Sequence, residues 1–235
     1  MDDRGRPGPR RSTREQDMAT IGLIGAGNIG GNLARRLAAL GHDVRISNSR
    51  GPETLAALAE EIGATAVGAT EAADGADVVV VTIPLARVPE LPAGILDGAA
   101  PGAAVIDTNN YYPQQRDGRI AEIEDGTPES AWVAAQLGRP VVKAFNGVYA
   151  QRILDVGAPG AAGFAIPIAG DDAAAKERVF ELVRELGFDP VDAGGLADSW
   201  RQQPGSPSYG AELDADGLRA ALAAASPERT ADWRA

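Results

Sequence analysis

Ile21-Gly22-Leu23-Ile24-Gly25-Ala26-Gly27-Asn28-Ile29-Gly30-Gly31 decides the fold, because it reads as a buried strand running into a glycine turn and then a helix. The mainly apolar residues Thr20 to Ile24 suit a short parallel strand covered on both faces. Beyond the turn, Ile29, Leu33, Leu37 and Leu40 fall on one helical stripe, with Arg35 and Arg36 elsewhere on the surface. Gly41 ends the helix, and His42 to Ser47 read as a second strand. This is the order that a dinucleotide-binding fingerprint requires. Gly25 permits the tight turn, Gly27 has no side chain to block a diphosphate, and Gly30 lets the helix lie close on the strand. Gly25, Ala26, Gly27, Asn28 and Ile29 are therefore the candidate diphosphate loop, with the first helical N–H groups facing the anion. A chain with 29 glycines in 235 residues also makes such turns without a ligand, and only the strand, turn, helix and strand context argues against that.

The end of the second strand selects the nucleotide. An NAD site carries Asp or Glu there for the ribose hydroxyls, whereas this chain has Asn48-Ser49-Arg50-Gly51-Pro52. No carboxylate stands there to repel a 2′-phosphate. Arg50 offers a planar fork of donors, and the Asn48 amide and Ser49 hydroxyl offer neutral hydrogen bonds. The reading is NADP(H). Its alternative makes Arg50 a solvated charge and Ser49 a helix cap before Pro52.

The formal charge of −11 argues against a nucleic-acid partner, which needs a basic face. The absence of Cys removes disulfides, thiol chemistry and cysteine-ligated metal, and His42 is the single histidine. No metal site is expected. Val78 to Ala86 is the longest apolar run and is broken by Thr82 and Pro84, so no membrane span is expected, and a cytoplasmic protein is. Residues 1–18 read as a disordered arm rather than a signal peptide, because Arg14, Glu15 and Asp17 stand where an apolar stretch is needed. Translation starting at Met18 fits the same pattern.

Alternation of strand and helix predicts an α/β, Rossmann-type doubly wound, mainly parallel sheet. The expected elements are a helix over Pro52 to Ile62, with Leu55, Leu58 and Ile62 inward, and strands at Thr65 to Val67, Val78 to Ile83, Ala103 to Asp107 and Val141 to Phe145. A polar loop with a helix around Ser130 to Leu137 precedes the last of these. Then come a strand at Gly163 to Ile168, a helix from Asp171, its expected cap, to Leu186, and a strand at Phe188 to Val191. Residues 19–235 are read as one domain with a C-terminal extension from about residue 193. That extension is too short for a separate substrate-binding helical domain, so a second ligand is expected at the strand ends of the same domain.

With the loop Gly25 to Gly30, Asn48-Ser49-Arg50, Thr82-Ile83-Pro84 and Lys143-Ala144-Phe145-Asn146 in hand, the chain resembles the NADPH-dependent coenzyme F420 reductases over about residues 20 to 195. Gly170-Asp171-Asp172 and Asp192-Ala193-Gly194-Gly195 look like that family's corresponding stretches. Through Val142 to Asn146 it is also similar to the NADPH-flavin domain of six-transmembrane metalloreductases. The resemblance implies direct hydride transfer between NADP(H) and a deazaflavin, coenzyme F420, with no protein nucleophile and no catalytic side chain. It places Thr82, Ile83 and Pro84 beside the nicotinamide, and Phe145, Asn146, Gly147 and Val148 across from them against the deazaflavin. It further implies a homodimer whose only other partner is a small hydride donor or acceptor.

Several residues carry two readings. Asn109 and Asn110 are amides that could bond a ring edge or ribose, or make turns. Lys143 is expected either at a cofactor phosphate or in solvent, and His42 in a structural turn away from the nucleotide. Asp107, with Tyr111 and Tyr112, suggests acid/base chemistry without requiring it. Two departures stand out: Asn146 replaces the family's histidine, and Trp200 to Pro207 cannot form a continuous helix. An ordinary flavin or small imine as acceptor, or an NADPH sensor without turnover, are the competing functions.

Overall fold

The computed structural model describes residues 18–156 and 163–235; the expectation for residues 1–17 lies outside them, and Met18 is exposed. Strand β1 (Thr20–Ile24) leads through the glycine turn into α1 (Asn28–Leu40), and β2 (Asp43–Ser47) returns parallel to β1. After β2 come α2 (Ala56–Ile62), β3 (Thr65–Ala66), α3 (Ala69–Ala73) and β4 (Val78–Val81). Next are β5 (Ala104–Asp107), α4 (Ala121–Glu124), α5 (Glu129–Leu137) and β6 (Val142–Lys143). The chain closes with α6 (Ala150–Asp155), β7 (Ala165–Ile168), α7 (Ala173–Glu185), β8 (Asp189–Asp192) and α8 (Ala215–Ala223).

Six strands form one parallel sheet in the order β3-β2-β1-β4-β5-β6. This is a Rossmann-like single domain, and the order reverses between β1 and β4. The apolar runs explain why. In β4, Val78 and Val80 pack into one core while Val79 and Val81 pack into another, so the sheet is buried on both faces. At about 1.5–3 kcal/mol for each fully buried valine-sized side chain, that pattern fixes β4 at the centre. Register then aligns the ends: Ile24 pairs with Ser47 and Val81, and Val81 pairs with Asp107. The residues that follow β1, β4 and β5 therefore emerge together at one edge.

Several expectations change. Strands β7 and β8 pair with each other and not with the main sheet, to which, among the described residues, the antiparallel bridge between Lys143 and Ala169 is their one β-link. Pro52–Leu55 is a 3-10 turn, and α2 starts after it. Leu40 is 45% exposed, because α1 ends on the left-handed Gly41 before that residue can turn inward. Asp172, not Asp171, caps α7, accepting from the N–H groups of Ala174 and Ala175 at 2.9 and 3.0 Å. The Asp171 carboxylate instead takes the Leu196 N–H at 2.8 Å and holds the loop after β8. Helices α3, α4, α6 and α8 have no counterpart in the sequence reading; Asp214 caps α8 through the Gly217 N–H at 2.8 Å. His42 is structural, accepting from the Ala19 N–H at 3.2 Å and meeting Glu185 at 3.0 Å.

Replacing Asp172 with Ala should lower stability by about 1 kcal/mol, the usual worth of such a cap, while leaving the sheet edge untouched. Urea unfolding of the two proteins measures the difference; equal midpoints would contradict the capping assignment.

Candidate functional site

The β1–α1 turn can approach β4 only because side chains are missing. A Cβ on Gly25, whose φ is +111°, would lie 2.2 Å from the Thr82 carbonyl oxygen, and one on Gly30 would lie 2.1 Å from the Gly25 carbonyl oxygen. Gly27 differs, for a Cβ there would meet nothing within 4 Å. Its open face lies at the start of α1, which has no side-chain cap and no acidic residue in its first turn. The N–H groups there lack the partners that a capping side chain would supply, which makes the turn a ready anion site.

A pocket of about 270 Å³ opens beside it, lined by Gly27, Asn28 and Ile29 after β1, Thr82, Ile83 and Pro84 after β4, and by residues after β5 that include Asn109, Asn110, Tyr112 and Arg116. Backbone bonds lock its rim: Gly25 N–H to the Ser47 carbonyl at 3.0 Å, Thr82 N–H to Ile24 at 2.9 Å and Thr108 N–H to Val81 at 3.2 Å. The Asn109 side chain is 3% exposed, and its Oδ1 accepts from the Ile83 N–H at 3.2 Å. Its Nδ2 is buried with no partner among the described residues. An unmatched buried donor costs about 1–3 kcal/mol.

A network of buried charge supports this wall from behind. Lys143 is fully buried, correcting both sequence readings, and its Nζ donates to the Asn109 carbonyl at 3.0 Å. Glu129, also buried, lies 3.6 Å from Lys143 and accepts from Arg229 at 2.6 Å. Removing one member of such a group costs about 3–5 kcal/mol. Asp107 is buried below the rim, taking the Ser130 hydroxyl at 2.5 Å and the Asn109 N–H at 3.0 Å. Burial pushes its carboxyl above the usual range against the lowering pull of Lys143 and those bonds. The Tyr111 hydroxyl is spent on Glu124 at 3.0 Å and on the Ile120 N–H, so it is structural.

The remaining sequence-predicted residues divide. Arg50 and Ser49 are exposed just after β2, and Arg50 forms no ion pair among the described residues. The Asn48 amide instead folds the turn, its Oδ1 accepting from the Arg50 N–H at 2.8 Å and its Nδ2 donating to Thr54 at 2.9 Å. Phe145 is 2% exposed and does not face the pocket. Its backbone takes a left-handed φ of 61°, and its ring packs edge-on against Phe188 with centroids 6.3 Å apart. Val148 is likewise core. The Asn146 amide is occupied by Asn110 and Gln202, and Asn110 by Asn146 in return. Tyr112 and Arg116 are absent from the sequence-predicted site; adjacency of Tyr112 to the end of β5 was the available signal, whereas Arg116 sits on a one-turn π-helix, Pro113–Asp117, that periodicity does not reveal.

A second cavity of about 310 Å³, lined by Trp200, Gln203, Arg229 and residues around Glu124, contains neither the glycine turn nor any residue of the strand-end site. Among the described residues, no helix is long and apolar enough to cross a membrane, and no cluster of His, Asp or Glu could hold a metal ion.

Residues 20–111 match the model of a family described as NADP oxidoreductase, coenzyme F420-dependent. The hypothetical protein SMa0349 of Sinorhizobium meliloti superposes with a TM-score of 0.71 at 31% identity, over 84% of this chain and 96% of that one. A candidate F420-dependent NADP-reductase from Arthrobacter sp. FB24 superposes with a TM-score of 0.64 at 24% identity, over 77% and 87% of the two chains, a likeness of fold. Metalloreductase STEAP3 of Rattus norvegicus is 29% identical over 180 residues, 76% of this chain and 34% of that protein. The chain spans between 32% and 55% of the length of the curated relatives it resembles.

The glycines should separate by role when substituted. Gly30→Ala should lower stability by several kcal/mol, or about the range of overpacked or strained core changes, because backbone must shift. Gly27→Ala should leave the thermal midpoint within about 2 °C, since its Cβ enters open space. Differential scanning calorimetry compares them, and equal losses would refute the distinction.

Proposed function

We propose, from the match of residues 20–111 to the family of coenzyme F420-dependent NADP oxidoreductases, that the chain belongs to that family and transfers a hydride between NADP(H) and the deazaflavin coenzyme F420. The observation that carries this reading is the open face of Gly27 at the uncapped start of α1, continuous with the pocket at the ends of β4 and β5. The nicotinamide would give or take the hydride when NADP(H) is bound. The chain's own residues bind, orient and exclude water.

In this reading the N–H groups of Asn28 and Ile29, beside Gly25, Ala26 and Gly27, take the diphosphate. Arg50, with the Ser49 hydroxyl, takes the 2′-phosphate; the Asn48 amide acts indirectly, by holding the turn that presents them. Thr82, Ile83 and Pro84 line the nicotinamide side, and the spare donor of Asn109 meets a polar edge of the ligand. Asn110 stands on the wall and is braced by Asn146 behind it. Phe145 and Val148 contribute through the core beneath it. Fixing two rings face to face is worth up to about 7–11 kcal/mol of the barrier, which lets a site without a nucleophile work. A homodimer is part of the proposal, as are small-molecule partners only.

Similarity to a metalloreductase and the asparagine at position 146 favour one second reading, an ordinary flavin as acceptor. Mixing the protein with NADPH and oxidised coenzyme F420, with FMN and FAD in parallel, separates the two. Loss of the deazaflavin's visible band alone supports the proposal; reduction of a flavin alone transfers support to the second reading. Arg50→Glu should weaken NADPH binding at least tenfold, roughly the effect of a like charge against phosphate, and leave NADH almost unchanged. Calorimetric titration of both dinucleotides reads this, and equal losses would sink the role of Arg50.

A further inference from the structure

Tyr112 lines the pocket, and its hydroxyl is hydrogen-bonded to that of Tyr209, 97 residues away. The Asn146 side chain is oriented by the Gln202 carbonyl, which accepts from its Nδ2 at 2.6 Å. The same Nδ2 donates to Asn110 Oδ1 at 3.0 Å, while Asn110 Nδ2 donates to the Asn146 carbonyl at 2.8 Å. Both ends of the Asn110 amide are thereby assigned. Its Nδ2 also reaches Tyr209 Oη at 3.4 Å, so that oxygen is an acceptor of an N–H.

Either hydroxyl could donate across the pair, but Tyr112 Oη is the one acceptor the Tyr209 hydrogen has among the described residues, whereas Tyr112 also faces the pocket. Burial first, and then its bond to Tyr112, hold the Tyr209 phenol well above its ordinary value, as expected of a phenol that keeps and donates its proton. When Tyr209 donates, the Tyr112 hydrogen is left to turn into the pocket, where it meets no protein acceptor other than Tyr209 among the described residues. The ring is held in place by the Arg116 guanidinium, centred 5.0 Å above it, and by the Trp233 indole at 5.9 Å. Arg116 is in turn paired with Asp117 and bonded to the Asn110 carbonyl at 2.7 Å.

We propose that Tyr112 directs its hydroxyl hydrogen into the pocket and donates it to the heteroatom of the acceptor that is conjugated with the carbon receiving the hydride. This rests on the function proposed above and narrows it, because the acceptor must present a carbonyl oxygen or an imine-type nitrogen toward Tyr112. The balance is simple. As the acceptor carbon gains hydride and its electron pair, the O–H bond of Tyr112 breaks and a bond forms from that hydrogen to the heteroatom. The guanidinium of Arg116 offsets the negative charge left on the phenol oxygen. A solvent proton entering through the pocket restores Tyr112, while Tyr209 keeps its own hydrogen on the bond between them. Tyr112 is thus a catalytic residue and Tyr209 a positioning residue.

Two measurements decide. Neutron diffraction from crystals exchanged into heavy water, with no ligand, should show the Tyr209 deuterium on the line to Tyr112 and the Tyr112 deuterium turned into the pocket; a Tyr112 deuterium aimed at Tyr209 overturns the proposal. Tyr112→Phe should bind NADPH within twofold of the wild type, bind oxidised coenzyme F420 or FMN about tenfold more weakly, and react about a hundredfold more slowly. Its solvent isotope effect on turnover should vanish. Wild-type acceptor affinity and isotope effect in Tyr112→Phe also overturn the proposal. A wild type that binds NADPH yet reduces neither acceptor overturns the proposed function instead, and the diffraction experiment still decides the direction of the Tyr112 bond.

Discussion

The structure depends on a contact made where side chains are missing. The turn after β1 rests directly on the end of β4, with Gly25 beside the Thr82 carbonyl and Gly30 beside the Gly25 carbonyl, at separations that exclude even a methyl group. A similar restriction holds farther along, where a Cβ on Gly22 would lie 1.9 Å from the Ala72 carbonyl oxygen. These approaches set the depth at which α1 packs, and so the position of its uncapped start relative to Thr82–Pro84. The rim is a consequence of backbone packing.

The second constraint is electrostatic. A chain of net charge −11 that binds a polyanion must supply its attraction locally. In the proposed reading it does so with groups of three kinds: free N–H groups at the start of α1, the exposed Arg50 after β2, and Arg116 on the far wall. The lysine nearest the site in sequence is spent otherwise. Lys143 is enclosed with Glu129, and its donated hydrogen bond holds Asn109, whose Oδ1 in turn fixes the Ile83 N–H. Arg229, near the C-terminus, completes that network, and Trp233 packs against Tyr112 and Tyr209. The C-terminal extension is therefore part of the pocket's support and not an appendage.

Much of this was legible in the sequence for identifiable reasons. Glycine spacing, the all-valine run of β4 and the missing carboxylate after β2 are local signals, and each fixes an element or a ligand preference without reference to distant residues. What escaped was non-local. Phe145 reads as the tip of a strand facing a ligand, but a left-handed turn reverses it into the core beside Phe188. Lys143 reads as exposed because its partners Glu129 and Arg229 lie in other segments. Tyr112 gains its meaning only from Tyr209, and β7 and β8 carry a parallel pattern that does not reveal which strand each one joins.

The account's central claim is that one pocket, between the glycine turn and the ends of β4 and β5, receives the dinucleotide. A crystal structure with NADP⁺ tests it most directly. The account predicts the diphosphate against the N–H groups of Asn28 and Ile29, the 2′-phosphate at Arg50, and the nicotinamide beside Thr82–Pro84. A dinucleotide lodged instead in the cavity beside Trp200 and Arg229, or one bound with its 2′-phosphate away from Arg50, would contradict it.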